Sequence, residues 1–189
     1  MEIIAFILSL ICITLNARGH ILTWLFSILS SAAYAWVFYE AKLFGDAWLQ
    51  GVFIVLAVYA WRTWLQKDLD GRQFVKVFAR MPHDWMIKGG LSWLTLFLAI
   101  YFVLKTFTSS DVPFIDAFLT AGSLMATYMS AQKWLENWLV WAFVDVIYIG
   151  LYIYKDLHLT ALLYALLIAL CVMGLREWSK KISASEVKA

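Results

Sequence analysis

Trp134-Leu135-Glu136-Asn137-Trp138-Leu139-Val140-Trp141-Ala142-Phe143-Val144-Asp145-Val146-Ile147-Tyr148 is a largely apolar stretch whose Asp145 sits about halfway through the apolar run Asn137–Tyr154. At about 100° per residue, Trp134, Asn137, Trp138, Trp141, Asp145, Tyr148 and Tyr152 fall within an arc roughly 100° wide. The opposite face holds Leu139, Val140, Phe143, Val146 and Ile147, which suits lipid or packed neighbours. Even the lowest transfer scales charge about 2.5 to 3.5 kcal/mol for an aspartate at the centre of a membrane helix, so Asp145 is expected to face a polar cavity. A plain structural partner for a hydroxyl or an arginine is the competing reading. Trp134 fits an interfacial aromatic belt, whereas Trp141 lies deeper and shares its face with Asp145. Indole faces beside an anion suit a flat cation, through stacking, cation–π attraction and charge pairing.

The rest of the chain is as apolar as this stretch. Of its 189 residues 63% are hydrophobic and 15% charged, which is too apolar for a soluble domain of this length. The runs are continuous and mostly near the roughly 20 residues that a spanning helix needs, so they read as helices and not as barrel strands. Seven spans are expected: Glu2–Leu15, Ile21–Tyr39, Ala47–Leu65, Gly90–Phe107, Phe114–Ala131, Asn137–Tyr154 and Thr160–Trp178. The first lacks a basic start and a small-residue cleavage site, and reads as a span rather than a signal peptide. The interval Gln66 to Gly89 reads as a solvated loop. Cys12 and Cys171 show no paired spacing and read as packing residues. His20, His83 and His158 share no helix face, so neither a metal nor another cofactor is expected.

Placing the N-terminus outside puts Arg18, Arg62, Lys67, Arg72, Lys76, Arg80, Lys88, Lys133, Arg176, Lys180, Lys181 and Lys188 inside. Lys42, Lys105 and Lys155 are left outside. A shift of 114 residues then lays Trp24 on Trp138 with no gap, and pairs Tyr34 with Tyr148, Arg62 with Arg176 and Trp64 with Trp178. Tryptophan and arginine matches carry the argument, because leucine matches are cheap in such a composition. Two three-helix units of like orientation need a single span between them, which Gly90–Phe107 supplies, giving a three-plus-one-plus-three plan in one transmembrane domain, 1–189. Its parts are a first repeat over 1–65, a cytoplasmic loop and linker helix over 66–113, a second repeat over 114–178 and a cytoplasmic tail over 179–189.

The equivalent helix of the first repeat carries Trp24, Ser27, Ser31, Tyr34 and Phe38, with Ser31 where the second repeat has Asp145. One half keeps the charge and the aromatic clamp while the other offers small serines, as a cavity for an asymmetric ligand requires. Gln50 and Tyr164, equivalent by the same shift, are placed to cap the ligand's polar end.

Glu136-Asn137-Trp138-x-x-Trp141 with Asp145 four positions on resembles the signature of PnuC-type vitamin transporters. The resemblance extends to Trp48-Leu49-Gln50, Ala60-Trp61-Arg62 and Arg176-Glu177-Trp178, and so covers essentially the whole chain. It implies uptake of a vitamin across a bacterial inner membrane by facilitated diffusion, with trapping by a cytoplasmic kinase. It also implies a site containing Gln50, Asn137, Trp138 and Trp141. Family members for nicotinamide riboside often have asparagine at the position of Asp145, and some carry a further N-terminal helix, so a thiamine-carrying branch is the better match. A sugar carrier of similar plan, a proton-coupled carrier using Asp145 and a structural membrane subunit are the alternatives. No nucleophile and base can be paired for an enzyme, no nucleic-acid partner is implied, and homo-oligomerisation is left open. A reporter active only in the cytoplasm, fused to Ala189, is expected to be active; an inactive fusion that is inserted and stable would reverse the orientation.

Overall fold

The computed structural model describes residues 2–40, 44–65, 78–108, 112–154 and 158–186, and these are almost entirely helical. The helices are α1 (Glu2–Arg18), α2 (Thr23–Glu40), α3 (Phe44–Leu65), α4 (His83–Phe107), α5 (Pro113–Ala131), α6 (Asn137–Tyr154) and α7 (His158–Glu186). Lys42, Leu43, Lys67, Arg72, Lys76, Lys155 and Lys188 lie outside the described residues, as does most of the expected loop after α3.

Two boundaries depart from the sequence reading. Residues 83–89, expected in the loop, are the opening turns of α4. Pro82 stands at the cap, where its missing N–H costs nothing, and Asp84 pairs with Lys88 one turn on at 3.1 Å, so charge here supports a helix instead of ending one. The tail expected from residue 179 continues α7 to Glu186, with Lys180 paired to Glu177 at 3.2 Å. Charged residues end a hydrophobic run, but they do not end a helix.

The outward surface is apolar. Ile7, Val55, Phe102, Val146 and Leu166 are exposed, and α4 buries little beyond Gly89. Such continuous apolar exposure is rare on soluble proteins and fits a lipid solvent. By length and composition Ala47–Leu65 and His83–Phe107 are long and apolar enough to cross a membrane, while Ile3–Arg18, Thr23–Val37 and Asn137–Leu151 are shorter apolar helices.

Packing follows the internal repeat. Helix α1 packs on α2 and α2 on α3; α5 packs on α6 and α6 on α7; the halves meet through α1 with α7 and through α3 with α5. Exchanging the halves turns one of these last two contacts into the other. Helix α4 packs on α5 and stands apart from this exchange. The correspondence reaches single hydrogen bonds. Gly19 and Lys133, equivalent by the 114-residue shift, both adopt a positive φ, +69° and +58°. Around each, the same turn closes: the N–H of Gly19 donates to Asn16 and that of His20 to Leu15, just as Lys133 donates to Ser130 and Trp134 to Met129. Asn16 Nδ2 donates to Ser130 Oγ at 2.9 Å. Two equivalent residues bonded to each other must lie close to the axis that relates the halves.

The core at this junction is aromatic. Trp24 meets Trp64 edge-on at 5.4 Å, and Trp138 meets Trp178 edge-on at the same 5.4 Å. Ala17, Ala57, Ala60 and Ala131 are fully or almost fully buried among them, small enough for the helices to close around the indoles. Gly174 is part of the same fit, since a Cβ there would meet the Trp138 ring at 2.4 to 2.6 Å. Gly174→Ala is therefore expected to lower stability by about 1 to 3 kcal/mol through overpacking. Thermal unfolding in detergent checks this against Gly51→Ala, where a Cβ meets nothing within 4 Å and the midpoint should hold or rise slightly.

Candidate functional site

A cavity of about 380 Å³ opens where the two halves meet, within the range of small-molecule sites. Its walls are largely built from equivalent pairs. Trp24 faces the space as Trp138 does, Tyr34 as Tyr148, Gln50 as Tyr164, and Asn16 as Ser130. The symmetry breaks on α2 and α6: Ser27 and Ser31 line one side, Trp141 and Asp145 the other. This is the divergence expected from the sequence, now around one space.

Asp145 is 3% exposed. The thiol of Cys171 donates to its Oδ2 at 3.9 Å, a long contact to a weak donor. Among the described residues no lysine or arginine stands within ion-pair range of it, so the structural reading of Asp145 as an arginine's partner has no support there. An ionised carboxylate buried without a cation is costly.

The two indoles play different structural parts. Trp138 is 2% exposed and packed into the floor against Trp178 and Gly174. Trp141 keeps a half-buried ring on the cavity wall, where a planar ligand could stack. The indole N–H groups of Trp24 and Trp138 are buried and have no hydrogen-bond partner among the described residues. Tyr148 and Tyr164 form a ring pair at 4.9 Å on the same wall as Asp145.

Of the residues singled out from the sequence, Trp24, Ser31, Tyr34, Gln50, Trp138, Trp141, Asp145, Tyr148 and Tyr164 all line the cavity. Asn137 does not. It is fully buried behind the wall, where its Nδ2 donates to the Trp134 carbonyl at 2.6 Å while its Oδ1 has no partner among the described residues. It fixes the start of α6. Trp134 also lies off the cavity, packed against Trp85 and Tyr128. The side chains of Phe38 and Tyr152 lie outside the described residues.

The sequence reading missed the contribution of α1 and α5. Ser9, Asn16, Ser123, Thr127 and Ser130 give the cavity a hydroxyl- and amide-rich lining from α1 and α5. The repeat held the signal, because the same shift pairs Ser9 with Ser123 and Asn16 with Ser130. Cys12 and Cys171, read as packing residues, also line the cavity. A thiol reads as apolar in sequence, and only its neighbour shows it donating to a carboxylate.

Residues 1–180 match the family described as nicotinamide mononucleotide transporter. The riboflavin/roseoflavin transporter RibM of Streptomyces davaonensis is 28% identical over 180 residues, covering 94% of this chain and 83% of that protein. The nicotinamide riboside transporter PnuC of Escherichia coli is 23% identical over 207 residues, covering 94% and 84%. The crystal structure of the vitamin B3 transporter PnuC shares the fold with a TM-score of 0.75 at 19% identity, over 96% of this chain and 81% of that one. A family match over nearly the full length agrees with the resemblance carried by Glu136, Trp138 and Trp141, and the chain belongs to the nicotinamide mononucleotide transporter family of multi-pass membrane proteins.

Proposed function

We propose that this chain carries a cationic aromatic vitamin into the cell by facilitated diffusion, with thiamine as the first candidate and nicotinamide riboside as the second. The observation that carries the proposal is the Asp145 carboxylate, buried at the wall of a cavity beside the Trp141 ring with no described lysine or arginine in range. The positive ring of either vitamin would stack on Trp141 and pair with Asp145. Tyr148, Gln50 and Tyr164 would hold its polar end. The PnuC relatives favour nicotinamide riboside, and the aspartate at 145 favours thiamine. The name of the RibM relative adds a neutral planar ligand, riboflavin, as a control that gains nothing from the carboxylate.

The asymmetry of lysine and arginine supports an outside N-terminus and a cytoplasmic C-terminus. A carrier without coupling needs a cytoplasmic step to prevent back-flow, and phosphorylation by a vitamin kinase would supply it. If Asp145 carried protons instead, an imposed proton gradient would change the rate of uptake.

Uptake and binding of labelled thiamine, nicotinamide riboside and riboflavin in membrane vesicles test the reading. Asp145→Asn should weaken a cationic vitamin about 10- to 100-fold, the size of one charge-assisted hydrogen bond of roughly 1.5 to 3 kcal/mol, and leave a neutral one unchanged. Trp138→Ala should weaken every ligand by opening the floor. Equal behaviour of wild type and both variants toward all three vitamins would sink the site assignment.

Steric occlusion gives an independent check. Ser27→Trp copies into the first half the indole that the second half has at Trp141, and fills the cavity from the opposite wall. The variant should keep its melting midpoint within a few degrees, because it adds bulk to empty space, yet bind no vitamin. Undiminished binding would place the ligand elsewhere.

A further inference from the structure

Phe78 belongs to neither half. It stands in the short segment Phe78–Pro82 that leads into α4, and its ring packs against both Trp64 and Trp178, at 6.5 and 4.7 Å from their centres. Those two tryptophans are equivalent by the repeat, so Phe78 sits near the axis of the whole molecule. They in turn meet Trp24 and Trp138 edge-on, and Trp24 and Trp138 are the floor of the cavity. A column of five rings therefore runs from the cavity to Phe78, and on this side the cavity lining stops at Trp24 and Trp138.

The column is held from outside by contacts that can be released. Lys133 Nζ lies 4.4 Å from the Trp64 ring centre and 5.1 Å from that of Phe78; Lys181 Nζ lies 4.8 Å from Phe78 and donates to the Arg18 carbonyl. Behind the ring, the N–H of Ala79 donates to the Lys133 carbonyl at 3.2 Å, and the Ala79 carbonyl accepts from Leu135 at 2.9 Å. The N–H of Met81 donates to the Glu136 carboxylate at 2.7 Å. Gly19 completes the seat, because a Cβ there would come within 2.4 Å of the Phe78 ring. Its repeat counterpart, Lys133, carries a side chain, so the ring is accommodated on one side of the axis and gripped from the other.

We propose that Phe78 is the gate at the basic end of the transport path, and that the Phe78–Pro82 segment lifts from its seat on Gly19, Lys133 and Glu136 to open the cavity there. Behind it Trp64 and Trp178 stay in contact, at 6.4 Å between ring centres, while Phe78 caps them; its departure lets the two halves part at this end and carry the floor indoles with them. Phe78 is the one ring of the column not borne on a helix of either half, so it can leave without unpacking α1–α3 or α5–α7. The role of the gate rests on the transporter reading, but its existence does not, and the test needs no vitamin.

A cysteine at Ser27, on the cavity wall, in a Cys12→Ala, Cys171→Ala background reports access from each side. In inside-out vesicles a membrane-impermeant maleimide should label it slowly with Phe78 in place. With Phe78→Ala labelling should accelerate about tenfold or more, equivalent to about 1.4 kcal/mol taken from the closed state. Phe78→Leu, which keeps bulk and loses the ring, should give a smaller acceleration and serves if the alanine variant fails to fold. Glu136→Gln, which weakens the seat and leaves the ring, should accelerate labelling too. Labelling in right-side-out vesicles should stay as in the parent. If neither Phe78 variant labels faster than the parent from the basic side, the gate assignment is wrong. Fast gated labelling in a chain that binds no vitamin would keep the gate and remove the carrier reading.

Discussion

Two indole N–H groups tie the molecule together across its own axis. Trp64 of the first half donates to the Ala131 carbonyl of the second at 3.1 Å, and Trp178 of the second half donates to the Asn16 carbonyl of the first at 3.0 Å. The accepting carbonyls sit in the last turns of α1 and α5, where a helix leaves carbonyls short of partners; that of Asn16 takes this bond beside the one from the Gly19 N–H. In an apolar surrounding an unpaired carbonyl or indole N–H is expensive, so each reciprocal bond satisfies a donor and an acceptor together. Once these bonds form, Trp24 and Trp138 must pack where they do, and the space between the halves is defined.

A symmetric frame of this kind makes a symmetric cavity, whereas a vitamin has two different ends. The chain resolves the mismatch by substitution on α2 and α6 and leaves the frame alone. Ser27 and Ser31 stand where Trp141 and Asp145 stand opposite, while the paired indoles, the paired positive-φ turns and the Asn16–Ser130 bond are kept. The same economy marks the basic end. Gly19 and Lys133 share a backbone conformation, yet one yields space to Phe78 and the other holds it. Asymmetry enters where a ligand or a single ring must be accommodated.

Helix type and number, the 114-residue repeat and the face of α6 that carries Asp145 were all legible in the residues. Each depends on period and composition, which are properties of the chain in order. Where the polar side of the cavity lies was harder to see. Ser9, Asn16, Ser123 and Thr127 are small and scattered in apolar helices, and such hydroxyls commonly bond their own backbone, as Thr127 does to Ser123. Asn137 misled in the other direction: its place in the Glu136-Asn137-Trp138 signature drew attention to the cavity, yet it spends its amide on the Trp134 carbonyl.

The sequence by itself determined that apolar helices duplicate a three-helix unit and that one buried carboxylate breaks the likeness of the halves. Hydrophobicity and spacing suffice for that, because lipid leaves the backbone no choice but to bond within its own helix. The tertiary structure decided that Trp138 is floor and Trp141 is wall, that two cysteines face the cavity, and that Phe78 packs against Trp64 and Trp178. These are relations between residues far apart in the chain. Which side of a ring is covered depends on what the other half brings to it, and no local pattern carries that information.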